Sequence, residues 1–424
     1  MSTVRILDNG IRTIIQNIPY LNSATIGIIV ESGSFYEGKS VNGVSHFIEH
    51  MLFKGTEKRT ARDIAESIDE IGGQLNAFTS KELTCYYAKV LGEHVPIAVD
   101  VLSDMLKNSK FDVSEISKEK GVIIEEINMY LDFPEDLVFE NLTEMLYGKM
   151  NLANPILGTE LSVSSLDKNQ ILDYFHEMYN PDKIVISMVG NIDEQSSFDL
   201  LNEYFGDYKA KAKTIANNFS YNYEPVANVS GIVRDIEQFN LCMGFPGPSS
   251  YSDDIFSLSV VNNILGGNMS SRLFQEIREN LGLAYNIESS LTSYYGAGMM
   301  SIYTGLNYEQ VLKTAALIRK ELDNIKKNYI NKEEIRKSRE YLKGSYILSL
   351  ESSFNKMYES GKYVLYGMEI ESAEDIIRQI NAVDTESVIK VIDKYMDLRY
   401  LNTSYVGNVK NKEKFENDLK EILM

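Results

Sequence analysis

Histidine, cysteine and positive charge are all scarce in this 424-residue sequence. It holds four histidines and two cysteines, and 42 lysines and arginines against 61 acids leave a formal net charge of -19. Cys85 and Cys242 lie too far apart in sequence to suggest a disulfide framework or a CxxC metal site. A metal here would have to be held by histidine and carboxylate. So acidic a chain repels nucleic acid and anionic membrane, so neither is expected as a partner, and neutral or basic ligands are favoured. No apolar run approaches the roughly 20 residues of a membrane span. The opening stretch MSTVRILDNGIRTIIQNIPYLNSATIGIIVESG lacks a basic region leading into an apolar core and a small-residue cleavage site. The expected location is therefore the cytoplasm.

What is present fits an ordinary globular chain, with 44% hydrophobic and 24% charged residues. The length exceeds one compact core and allows two or three domains. A weak internal repeat sets their number at two. NPDKIVISMVGNID (180–193) and MDLRYLNTSYVGNVK (396–410) are strands ending in Val-Gly-Asn, each preceded by a helical segment. TARDIAESIDEIGGQLNAFTSKELTCYYAKVL in the first half matches SSRLFQEIRENLGLAYNIESSLTSYYGAGMMSIYTGL in the second, both reading as helix, glycine stop and two strands. The expected fold class is α+β: two homologous domains, each a mainly antiparallel sheet packed with helices, enclosing a cleft. The expected boundaries are 1–212 for the first domain, a polar, Asn-rich linker over 213–228, and 229–424 for the second.

The histidines are unevenly placed: His46, His50, His94 and His176 all lie in the first half. His46 and His50 fall within NGVSHFIEHMLFKGT, and in a helix their spacing of four stacks both imidazoles on one face, with Glu49 one step round. Such pairs also occur as plain helix residues. Here Phe47, Ile48, Met51, Leu52 and Phe53 make the helix apolar nearly all round, so its polar groups need partners inside the protein, and a zinc ion with its water would supply them. A third ligand is expected from SEISKEKGVIIEEINMYLDFPEDLVFENLTEML, where Val122, Ile123, Ile127 and Leu131 suggest a buried face. Glu119 and Glu126 are two turns apart on one side of that helix, and Glu125 points about 100° away from Glu126. Spacing alone leaves Glu125 and Glu126 both open.

HFIEH is the inverted form of the HExxH zinc motif. Together with GGQLNAFTSKE, VIIEEI and SSRLFQEIRENLGLAY, it makes the chain resemble the pitrilysin and insulinase family of zinc peptidases over nearly its entire length. The likeness is greatest to short bacterial members with two homologous domains. The resemblance implies one zinc ion per chain held by His46, His50 and Glu126, with Glu119 supporting the site and Glu49 as the base that activates water. It also implies that Asn76 and Ala77 bind an extended peptide along a sheet edge, and that Arg278 and Tyr285 of the metal-free half contact substrate and stabilise the transition state. The activity so implied is a zinc endopeptidase acting on short or unfolded peptides in an enclosed chamber, in a chain that pairs as a homodimer. The alternative is a non-catalytic, peptide-binding subunit of a processing-peptidase-like complex.

Overall fold

The computed structural model describes residues 3–148, 150–209, 221 and 226–424. Its first sheet comprises β1 (Val4–Ile6), β2 (Arg12–Asn17), β3 (Ser23–Val30), β4 (Gln74–Thr79), β5 (Thr84–Leu91) and β6 (Ile184–Gly190), in the order β1-β2-β6-β3-β5-β4. The second comprises β7 (Asn228–Val233), β8 (Phe239–Gly247), β9 (Ala284–Ser293), β10 (Gly298–Leu306) and β11 (Asn402–Gly407), in the order β7-β11-β8-β10-β9. Each sheet has one parallel pair, β2 with β6 and β7 with β11, and is otherwise antiparallel. Apart from the short β1, the two orders superpose strand for strand. The two Val-Gly-Asn strands, β6 and β11, hold the same interior position and are buried along their whole length. That burial on both faces explains their nearly continuous apolar character.

Period-two alternation sorts the first sheet's side chains onto two faces. Ile26, Ile28 and Val30 of β3, Tyr86, Ala88 and Val90 of β5, and Ile184, Ile186 and Met188 of β6 join a core with the helices Val44–Leu52, Val95–Asn108, Lys168–Met178 and Glu194–Phe205. Ile29, Cys85, Val185 and Val189 point the other way and pack with Met357, Val364 and Leu365 of the helix Ser353–Leu365. That helix lies very close to the sheet. A Cβ on Gly27 would come within 2.2 Å of Met357 Sδ, and one on Gly361 within 2.2 Å of Ile29 Cδ1. Arg12 donates to the carbonyls of Val364 and Leu365 at 2.7 and 3.0 Å, satisfying the end of the helix.

The compact units are therefore built from interleaved stretches of chain. One gathers Met1–Asn128, Asn154–Phe219 and Ile347–Ser372; the other gathers Met129–Ala153, Ser220–Tyr346 and Ala373–Met424. In the second unit the helix Pro134–Tyr147 lies on β8 and β11, where Asn141 Nδ2 donates to Ser404 Oγ at 2.8 Å. Of the expected linker 213–228, all but Tyr221 and residues 226–228 lies outside the described residues, and Asn228 already belongs to β7. Residues 1–212 expressed alone would lack the helix Ser353–Leu365 and leave Ile29, Val185 and Val189 uncovered. We expect that fragment to aggregate, and the same fragment extended by a linked segment 347–372 to remain soluble, as read by size-exclusion chromatography.

Candidate metal centre

The histidine helix, Val44–Leu52, begins at Gly43, whose φ of +93° suits glycine. Any side chain there would also strike the backbone, since a Cβ would lie 2.6 Å from Leu157 O. The first turn is capped by Glu37, a fully buried carboxylate. Its Oε2 accepts from Asn42 Nδ2 and from the Gly43 amide, both at 2.7 Å, and its Oε1 accepts from the Ser45 amide at 2.8 Å. Burial pushes the Glu37 pKa up, while these bonds pull it down. An anion at a helix N-terminus satisfies its free amides and complements its dipole. Glu37→Gln places an amide NH₂ among these donors. We expect it to cost about 1–3 kcal/mol of stability, and an unchanged unfolding midpoint would discount the cap.

From this anchored helix His46 and His50 project together, with ring centres 4.6 Å apart. His46 is 7% exposed, and burial, followed by repulsion from His50, lowers its pKa to about 3. It is neutral at ordinary pH. The helix Val113–Asp132 brings up Glu126, whose Oε2 lies 3.8 Å from His46 Nε2 and 3.7 Å from His50 Nε2. Glu125 is exposed. The buried face of this helix is narrower than expected: Ile116, Ile123 and Ile127 are buried, but Val122 and Leu131 are 50% and 40% exposed. At about 100° per residue the two fall on opposite sides of the stripe that meets the core.

Glu119, two turns before Glu126, is 3% exposed. Its Oε2 is 3.0 Å from His50 Nδ1 and its Oε1 is 2.7 Å from Lys54 Nζ. An ionised carboxylate only accepts, so Glu119 calls for a proton on His50 Nδ1 and leaves Nε2 as the nitrogen able to coordinate a metal. Nε2 faces the Glu126 carboxylate at 3.7 Å. A metal ion or a proton between the ring nitrogen and the carboxylate makes that approach favourable. The His46 and His50 nitrogens and the Glu126 oxygen lie within 4.8 Å of one another. Two neutral imidazoles and one carboxylate form a donor set known from catalytic zinc sites, in which bonds of roughly 2.0–2.2 Å hold the ligand atoms little more than 3 Å apart. The residues present therefore fit a zinc ion.

Glu49, on the same helix, accepts a hydrogen bond from the Thr79 hydroxyl through Oε2. Burial raises its pKa, the Thr79 bond and His50 lower it, and Glu126 raises it again. Thr79 ends β4, the edge strand that also carries Asn76 and Ala77. Asn76 is exposed, and its Oδ1 accepts from the Ala77 amide at 2.8 Å. No strand pairs with the outer edge of β4 among the described residues.

Arg278 and Tyr285 lie in the other unit. Arg278 sits in a seven-residue π-helical turn, Phe274–Asn280, rather than an α-helical end, and Gly282, with φ of +59°, follows it. Its guanidinium is 4.6 Å from the Phe274 ring centre and 5.8 Å from that of Tyr285. Tyr285 is 82% exposed. The pair are neighbours on one surface. Glu37, Thr79 and Lys54 were not singled out from sequence. A signal existed only for Lys54, which stands four residues after His50.

Two family models match the chain. The one described as Insulinase (Peptidase family M16) covers residues 12–160, and the one described as Peptidase M16 inactive domain covers 165–342. The second span contains none of His46, His50 and Glu126. An uncharacterized zinc protease of Bacillus subtilis is 44% identical over 90% of this chain and 92% of its own length. One of Streptomyces coelicolor is 36% identical over 78% and 73%. The fold is shared with a protease from Helicobacter pylori, with TM-score 0.90 and 20% identity over 96% of this chain and 99% of that one. It is also shared with a Pseudomonas fluorescens structure described as a peptidase M16 inactive domain, with TM-score 0.89 and 20% identity over 97% and 99%. No helix among the described residues is long and apolar enough to cross a membrane.

Proposed function

Since the chain belongs to the insulinase family, peptidase family M16, we propose that it is a zinc endopeptidase that hydrolyses short or unfolded peptides. His46, His50 and Glu126 would hold one zinc ion per chain. The observation that carries this reading is the meeting of two imidazoles and a carboxylate with a second, half-buried carboxylate, Glu49, beside them. When bound, zinc supplies a Lewis acid that polarises a scissile carbonyl and makes water acidic near neutral pH.

The chain's own residues carry the proton. Glu49 takes it from the attacking water and returns it to the leaving amine. Thr79 holds one of its oxygens and so fixes the direction of the other. Glu119 holds His50 in the tautomer that leaves Nε2 free to coordinate. The open edge of β4 at Asn76 and Ala77 would accept an extended peptide through main-chain hydrogen bonds, a mode of capture tolerant of sequence. The Ala77 amide already has a partner in Asn76 Oδ1, so a peptide carbonyl that takes this donor displaces that side chain. By family position we assign to Arg278 and Tyr285 contacts with substrate and with the developing oxyanion.

The test combines metal analysis of the purified protein with mass-spectrometric mapping of cleaved test peptides. We expect one zinc per chain, cleavage that stops with a chelator, and recovery when zinc is restored. A zinc-loaded chain that binds peptides without cutting them would favour the non-catalytic subunit instead.

A further inference from the structure

Lys54 is the one lysine or arginine ion-paired with any of Glu49, Glu119 and Glu126 among the described residues. It lies just beyond the histidine helix, one turn after His50, with its Nζ 2.7 Å from Glu119 Oε1 and its side chain largely buried at 30% exposure. Glu119 is nearly inaccessible, and a buried carboxylate is costly unless each oxygen has a partner. Lys54 supplies the partner for Oε1 and leaves Oε2 for His50 Nδ1. With zinc bound, Lys54 and the divalent ion together would balance the charge of the three carboxylates.

We propose that Lys54 is a positioning residue of the metal centre: it pins Glu119 so that Glu119 holds His50 with Nε2 aimed at the metal. The inference rests on the zinc reading above. It makes Lys54, Glu119 and His50 a chain of contacts in which the lysine acts on the ion without touching it. A competing account is that Lys54 only stabilises the histidine helix, because a cation near a helix C-terminus is favourable in itself. The two accounts differ in whether the effect of Lys54 depends on Glu119.

A double-mutant cycle on the full chain separates them. Zinc dissociation constants are measured by competition with a fluorescent chelator for the wild type, Lys54→Met, Lys54→Arg, Glu119→Gln and the double variant Lys54→Met with Glu119→Gln. Metal-free melting curves check folding, and Lys54→Gln replaces Lys54→Met if the latter does not fold. Lys54→Met should weaken zinc by roughly 10- to 100-fold, the range for partners of a ligating histidine, and Lys54→Arg should restore most of that loss. With Gln at 119 no buried negative charge needs a cation, so adding Lys54→Met should cost no more than about twofold. Wild-type affinity in Lys54→Met, or the same loss in both backgrounds, overturns the proposal. A wild-type chain that binds no zinc would instead reject the metal reading on which it rests.

Discussion

Zinc-loaded Glu49→Gln protein should keep its metal and lose peptidase turnover by roughly 10²- to 10⁴-fold or more, the share assigned to a positioned base. The substitution preserves shape and leaves His46, His50 and Glu126 untouched. It removes only the group able to accept a proton. The pH dependence follows from the same residue. A general base works when ionised, so activity should fall as pH falls through the Glu49 pKa. Burial raises that pKa and the positive charge of bound zinc would lower it, so the acid limb sits where these two effects balance. Thr79 favours the charged form, and Thr79→Val should therefore move the limb to higher pH. Steady-state kinetics across pH, with zinc content measured in parallel, check both. Undiminished turnover in zinc-loaded Glu49→Gln would dismiss Glu49 as the base.

Glu126→Gln should act on the other quantity, metal affinity. Its Oε2 approaches both histidine Nε2 atoms, and a neutral amide there offers a weaker donor without the charge that a divalent ion requires. We expect zinc loss on dialysis against a mild chelator, with turnover lost in proportion to metal. Glu125→Gln is the control. That side chain is exposed one residue away, and its replacement should leave zinc content unchanged. Equal loss of zinc in the two variants would exclude Glu126 as the specific ligand.

These contrasts separate what was legible in the chain from what was not. The spacing of four between His46 and His50, and of seven between Glu119 and Glu126, sets shared faces wherever a helix forms, because 3.6 residues per turn is a local property. The strand order common to both sheets was likewise foreshadowed by the recurrence of Val-Gly-Asn strands and of glycine-stopped helices followed by two strands. Periodicity fixes only relative angles, however. It left Glu125 and Glu126 open, and it read Val122 and Leu131 as buried, whereas the helix leaves both partly in solvent.

The sequence by itself determined the elements, their repetition and the donor-bearing face of one helix, since each depends on residues within a few turns or strands of one another. Only the tertiary structure decided which side chains complete that face. Glu119 meets His50 across 69 positions and Thr79 meets Glu49 across 30, while Ser187 bonds the carbonyl of Met357 across 170. The interleaving of the compact units was beyond local reading for the same reason. An amphipathic pattern says that the helix Ser353–Leu365 must cover an apolar surface. Which surface it covers depends on the close fit of Gly27 and Gly361 to their neighbours, and that fit exists only once distant stretches of chain have been brought together.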